Sequence, residues 1–349
     1  MSTVQKLQAA VQQLAKAYIS KAKIRRFLHG VAVLSLEEFS SLNAAGRRLN
    51  NNRYTGENRM RRAITDSGLA NQIQSLLVAE AFGDRAGYLY CSMDHSQFGP
   101  FCIAVLAVSV RKGRAIPVWA QVNVSEAALI VPLLSSLEIL LASLQIIAPE
   151  LQPVFVMDRW FASDKLLTLF ENYGAYFITR TKSDKKVVLP WDPSWWRTPI
   201  QEVSHRELVI TFRSHTLRLI RSELKPNMKD HEPWFLLTNL PDEITRRQIL
   251  NRYKERFEIE EAFKDVKWLQ RLEWQRVRKP EVMRTLLLFV FLGWWLLKCY
   301  VDPGLVKASV HPKKQLSWFR RAWEYLQRLL RTPLLPPIPV AQLQRGGKK

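Results

Sequence analysis

The chain has 349 residues, 47% of them hydrophobic, enough for a sizeable buried core, so a disordered chain or one small module is excluded. Lys and Arg number 52 against 31 Asp and Glu, a net +21, which points to a polyanionic partner whose condensed counterions are released on contact. Three cysteines, Cys91, Cys102 and Cys299, without a CxxC pair, argue against a disulfide framework or a cysteine-bound zinc and for reduced thiols in a cytosol.

The charge is uneven. Residues 1–90 carry 13 basic and 6 acidic residues, and residues 281–349 carry 12 and 3, leaving a net +5 for the middle. Both ends are therefore basic, and the acids gather between them, as expected of a nucleic-acid-binding protein with its chemistry in the centre. Nothing at the N-terminus reads as a signal peptide. The apolar run Leu286 to Leu297, between Arg284 and Lys298, is shorter than the ~20 residues of a membrane span. It is expected to be a buried core helix, and no membrane partner is expected.

Residues 1–86 read as helical, with stretches at Val4 to Ile24, Leu34 to Leu49 and Asn58 to Phe82. Arg59, Arg61 and Arg62 and the breaks at Gly46, Gly56 and Gly68 suit a small helical DNA-binding region. From Gly87 the period changes. Tyr88 to Asp94 is strand-like, and Phe101 to Val110 and Ala115 to Val124 flank the turn Arg111 to Arg114 as a hairpin. Ser125 is a candidate N-cap for a helix to Ile147. The apolar run from Pro153 to Asp158 suits a buried strand. Ser163 to Tyr173 reads as a helix and Ala175 to Thr181 as a strand. Three strands, helix, strand, helix, strand is the order expected of an α/β, ribonuclease H-like core, first part 87–182.

Residues 183–235 contain no good helix, several prolines and an alternating run from Glu207 to Ile220, and read as a β-rich insertion. The second part of the core is placed at 236–300, with one helix from about Asp242 to Gln275 followed by the buried helix. A basic amphipathic helix, Gln315 to Arg331, and a Pro-rich tail from Pro333 occupy 301–349.

Carboxylates at strand ends and on a helix crossing them suit a two-metal phosphoryl-transfer site, because Mg²⁺ takes hard oxygen ligands held on rigid elements. Asp94 and Asp158 each close a predicted strand. If the strands are neighbours, the two acids emerge at one end of the sheet. The helix offers several acids. At 100° per residue, Tyr253, Arg256, Glu260 and Lys267 share one narrow arc, and Glu258 and Glu261 fall outside it. Taken singly, an Asp at a strand end is commonly a turn former, and a Glu-Arg-Lys face is commonly solvated ion pairs.

Together these residues resemble the DDE transposases of bacterial insertion sequences, specifically the branch with a Tyr-Arg-Glu-Lys signature. The signature runs Tyr, two residues, Arg, three, Glu, six, Lys, and the chain has Tyr253, Arg256, Glu260 and Lys267 at that spacing. The surroundings agree in Asp94-His95-Ser96, where the family has Asp-x-Thr/Ser, and in Phe235 to Leu240. At Asp158-Arg159-Trp160-Phe161, Trp160 replaces the usual Gly.

The resemblance covers roughly 87–300. It implies Asp94, Asp158 and Glu260 as catalytic residues holding two Mg²⁺ ions, with Mn²⁺ able to substitute. It implies Tyr253, Arg256, Lys267 and Arg159 on DNA phosphates. The implied activity is metal-dependent cleavage at transposon ends and transfer of the 3′-hydroxyl into target DNA. The implied partner is double-stranded DNA, and a homodimer would pair two ends. The implied setting is a bacterial cytoplasm, at the nucleoid. Some relatives stack a flipped base on a Trp of the insertion; here Trp191, Trp195, Trp196 and Trp234 are on offer, most of them expected to be core aromatics. His95 and His205 are expected to tune the site or merely pack, since a hard Mg²⁺ site does not need imidazole. The rival readings are a ribonuclease H-like nuclease, a transposase-derived protein that binds DNA without cutting it, and a structural nucleoid protein that needs none of the three acids.

Overall fold

The computed structural model describes residues 3–31, 53–109, 115–193, 195–223, 233–269 and 277–300. The expected helix 34–49, the turn 111–114, the last residues of the helix drawn to Gln275, and the helix and tail within 301–349 lie outside them. The described residues fall into two compact units. The larger is Leu77–Lys267 with Arg278–Arg284, and the other described residues form a helical unit.

In the helical unit, α1 (Thr3–Tyr18) and α2 (Ile24–Gly30) replace the single stretch expected from Val4 to Ile24. A turn at Ser20 to Lys23 divides them, with the Lys23 amide donating to the Ser20 carbonyl at 2.8 Å. Likewise α3 (Arg53–Ile64) and α4 (Ser67–Phe82) replace one helix from Asn58 to Phe82. The break falls where Asp66 accepts the Leu69 amide at 3.0 Å as an N-cap, a role that favours a fresh helix start over continuation. Asp66 also pairs with Lys23 at 2.9 Å and Arg26 at 2.5 Å. Partial burial works against its charge, but the Lys23, Leu69 amide and Arg26 contacts hold its carboxyl below the usual range. Gly30 lies against the Phe289 ring so closely that an added Cβ would sit 2.2 Å from it.

The larger unit is built on one mixed sheet. Its strands are β1 (Gly87–Phe98), β2 (Phe101–Ser109), β3 (Ala115–Asn123), β4 (Leu151–Met157), β5 (Tyr176–Thr181), β6 (Lys186–Val187), β7 (Thr198–Pro199), β8 (Glu207–Phe212), β9 (His215–Arg221) and β10 (Phe235–Thr238). Eight of them pair in the order β3-β2-β1-β4-β5-β10-β9-β8, and β6 pairs with β7 separately. β1, β4 and β5 run parallel, and the other pairs in the sheet are antiparallel. This mixed α/β architecture is consistent with a ribonuclease H-like core. The β8–β9 hairpin enters the main sheet through β10, so part of the stretch read as an insertion extends the sheet.

Helices α5 (Glu126–Ile147) and α6 (Asp164–Asn172) follow the first strands, capped by Ser125 and Ser163 as their side chains accept backbone amides. Period-2 alternation sorts β4 between two faces. Phe155 stacks on Phe170 of α6 at 4.5 Å, while Val154 and Val156 join Ile178, Leu236, Ile249 and Tyr253 on the other face. The helix drawn through 242–269 is two helices, α7 (Arg246–Glu255) and α8 (Phe257–Leu269). α7 opens on a capping box between Thr245 and Gln248. The break at Arg256 is slight, because its backbone keeps right-handed helical angles and only tightens to three-residue hydrogen bonds on each side.

The apolar run 286–297 is buried as expected, within the 21-residue helix α9 (Pro280–Tyr300). A second helix, α5, also has the length and composition of a membrane span, which the sequence reading overlooked. It buries Leu129, Leu133, Leu137, Leu140, Leu141 and Leu144 as one stripe.

Candidate active site

β1 does not end at Asp94; it runs on to Phe98. What ends there is its parallel ladder with β4, whose last pair is Met93 with Met157. Asp94 and Asp158 are therefore the next residues on two adjacent parallel strands and leave the ladder side by side. The carboxyl ends of parallel strands are where ligand crevices form in α/β sheets. The same ladder fixes both backbones, so little entropy remains to be lost in bringing the acids together.

Each aspartate is held by its own backbone neighbourhood. Asp94, buried, accepts the His95 amide at 2.8 Å through Oδ1. Asp158 caps the short 3-10 turn Arg159–Phe161, with Oδ1 accepting the Trp160 amide at 2.6 Å. Its carbonyl accepts the Thr179 hydroxyl at 3.1 Å, tying the turn to β5.

The helical acid reaches the site through an arginine. Arg256, 6% exposed, donates from Nη1 to Asp94 Oδ2 at 2.7 Å and from Nη2 to Glu260 Oε1 at 3.1 Å. One planar guanidinium thus joins the sheet-borne and helix-borne carboxylates. Burial works to lower the Arg256 pKa, but the carboxylates of Asp94 and Glu260 and the Tyr253 hydroxyl raise it on balance, so the group stays charged. Burial pushes the Asp94 carboxyl up, against the pull of Arg256 and with the help of the Asp158 charge.

The other glutamates of these helices have different partners. Glu258 accepts the Ser109 hydroxyl at 2.7 Å, Glu261 pairs with Lys264 at 2.6 Å, and Glu255 pairs with Arg252 at 2.9 Å. Tyr253 is buried against Trp234, with ring centroids 5.1 Å apart, and the Arg256 guanidinium lies 5.7 Å from its ring. Asp94 and Asp158 therefore lie together, and Arg256, beside Tyr253, links Asp94 to Glu260, whose carboxylate stands outside the close group formed by Asp94, His95 and Asp158. Lys267 lies over Phe98 at 4.8 Å. Arg159 lines a cavity of about 270 Å³ together with Arg180, Thr181, Lys182, Ser183 and Asp184.

Most of the four insertion tryptophans are expected in the core, but Trp191, Trp195 and Trp196 are exposed and only Trp234 packs inward. The prolines at 190 and 193 keep their segment out of regular strand, so no alternating face draws the rings inside. His205 packs beside Trp191, with ring centroids 5.3 Å apart.

Beside the aspartates, His95 and Trp160 pack together on Glu126, a residue the sequence reading did not single out. His95 stacks on Trp160 with centroids 4.5 Å apart. Glu126 reaches both rings, with Oε1 3.4 Å from His95 Nε2 and Oε2 accepting Trp160 Nε1–H at 3.2 Å. A ring nitrogen of His95 and a carboxylate oxygen of each of Asp94 and Asp158 lie within 4.8 Å of one another. The signals were present in the sequence as a His beside the first acid and a Trp in place of the Gly after the second, but Glu126 sits 32 residues away from Asp158 and carried none.

The donor set suits a divalent cation: carboxylate oxygens of the buried Asp94 and the half-buried Asp158 lie within 4.8 Å of each other and of a His95 ring nitrogen. A family model described as a transposase DDE domain matches residues 93–296, more than half of the chain. No curated protein matches it.

Proposed function

Since the chain belongs to the transposase DDE domain family, we propose that it is a cut-and-paste DNA transposase of the Tyr-Arg-Glu-Lys branch, cleaving transposon ends and joining the freed 3′-hydroxyl to target DNA. The observation that carries this reading is the convergence of Asp94 and Asp158 on paired parallel strands with Glu260, joined through Arg256. In this proposal Asp94, Asp158 and Glu260 hold two divalent ions, Mg²⁺ or Mn²⁺. When bound, such ions supply Lewis-acid charge to the attacking and leaving oxygens of a phosphodiester.

The protein's own groups do the rest. Arg256 carries a fork suited to phosphate and moves between carboxylate and phosphate partners as DNA enters. Tyr253, locked against Trp234, presents its hydroxyl from a rigid wall. Lys267 and Arg159 add cationic contacts to the strand on either side. The basic 1–86 region holds end DNA, residues 87–182 and 236–300 form the catalytic core around 183–235, and the basic 301–349 region supplements binding. A homodimer pairs two ends, in a bacterial cytoplasm at the nucleoid.

Cleavage of DNA bearing the sequences that flank the gene, with Mg²⁺, tests the reading. The parent is expected to cut, and Glu260→Gln to bind equally and not cut. A parent that binds and never cuts would favour a DNA-binding relative. A mutant that cuts like the parent removes Glu260 from the site.

A further inference from the structure

We infer that His95 is a metal ligand, so that the position between Asp94 and Asp158 takes a first-row transition ion such as Mn²⁺ in preference to Mg²⁺. The inference rests on the metal-dependent reading above and names a ligand outside the three acids. The ring is placed for the task. It stacks on Trp160 at 4.5 Å and meets Phe161 edge-on at 5.9 Å, so its plane is fixed from two sides. Its Nε2 faces the Glu126 carboxylate at 3.4 Å, and Trp160 holds the other oxygen of that carboxylate. A carboxylate on one imidazole nitrogen is the arrangement that orients histidine ligands and raises their basicity. The remaining nitrogen, Nδ1, is buried and without a hydrogen-bond partner.

A buried, unsatisfied ring nitrogen is costly unless something else uses it. The ring as a whole is placed for such a use: a ring nitrogen of His95 and one oxygen from each of Asp94 and Asp158 lie within 4.8 Å of one another, a spread a single ion can gather by small side-chain movements, and Nδ1 is the nitrogen not committed to Glu126. Imidazole adds little for Mg²⁺, which prefers oxygen, and more for transition ions, whose affinity for mixed nitrogen and oxygen sites rises along the first row. Trp160 then has a role of its own, supporting the imidazole where the family pattern has no side chain.

The test is pulsed electron paramagnetic resonance of the full chain with Mn²⁺ alone, which detects nitrogen bound to the ion without any cleavage. The parent is expected to show one imidazole ¹⁴N coupling. His95→Phe, which keeps an aromatic ring for Trp160, should lose the coupling. Glu126→Gln should keep it while Mn²⁺ affinity falls about tenfold. Asp94→Asn identifies the ion as that of the proposed site by weakening its binding. Mn²⁺ bound in an Asp94-dependent way without ¹⁴N coupling, or coupling that survives in His95→Phe, overturns the inference and leaves the transposase reading standing. A parent that binds no Mn²⁺ overturns both.

Discussion

Two regions bring acids to the same place by different means. Asp94 and Asp158 come from the sheet, where the β1–β4 ladder sets their backbones and neighbouring amides fix their carboxylates. Glu260 comes from a helix, is 43% exposed as a side chain, and meets the others through the Arg256 guanidinium. The sheet gives permanent geometry, and the helix gives geometry that depends on one charged link. Surface ion pairs contribute only ~0–1 kcal/mol, so the Arg256–Glu260 half of the link is weak, whereas the buried Arg256–Asp94 half is costly to break by removing one partner.

Substitutions on the sheet side should have the largest effect. Asp94→Asn and Asp158→Asn are each expected to lower the cleavage rate by about a thousandfold or more, ~4 kcal/mol in barrier, with DNA affinity within about threefold of the parent. Quantitative cleavage and binding assays on the same DNA check this. A graded loss of only about tenfold at either position would mean that the ladder end is not the reaction centre.

Next comes the link. Arg256→Lys keeps the charge and loses the fork, so it can serve Asp94 or Glu260 but not both. Cleavage should fall about 10- to 100-fold, with a loss of stability of about 1–3 kcal/mol from the buried carboxylate left short of a donor. Denaturant unfolding alongside kinetics separates the two effects.

A purely structural change should then move stability alone. Arg218, buried, donates to the carbonyls of Leu240 at 3.1 Å, Pro241 at 2.6 Å and Ile244 at 3.0 Å, closing the loop that launches α7. Arg218→Met leaves these carbonyls without that donor and should cost about 2–4 kcal/mol in denaturant unfolding, with Mn²⁺ binding by the folded protein unchanged.

The smallest expected effect lies in the helical unit. Burial, with Arg59 and Arg25 nearby, lowers the His29 pKa to about 4. The folded state resists protonation there, while the unfolded chain takes up its proton near pH 6.5. Stability is therefore full above that pH and is lost as the pH falls from about 6.5 toward 4, by about 1–2 kcal/mol after allowing for partial exposure. His29→Gln should flatten that part of the stability profile.

Much of this layout was legible in the sequence because it follows from local pattern. The apolar run of β4 marked a buried strand, Ser125 marked a helix start, and the arc shared by Tyr253, Arg256 and Glu260 marked a face. That arc survives the α7–α8 break because Arg256 keeps helical backbone angles. What was not legible depends on long-range placement. No local signal shows that β1 continues past Asp94 in pairing with β2, that Glu126 meets His95 and Trp160, or that Trp191, Trp195 and Trp196 face outward. Propensity and period report which face a residue takes on its own element, and these contacts are decided by a second element far along the chain.

The metal centre is tested most directly by protein backbone cleavage with Fe²⁺ bound in place of Mg²⁺ or Mn²⁺, with peroxide and end-containing DNA present. Radicals formed at a bound iron cut the chain close to its ligands. Cuts near residues 94, 158 and 260 together, all suppressed by excess Mn²⁺, are the predicted result. Cuts near 94 and 158 without 260, or a pattern insensitive to Mn²⁺, would contradict the claim that sheet and helix build one metal-dependent centre.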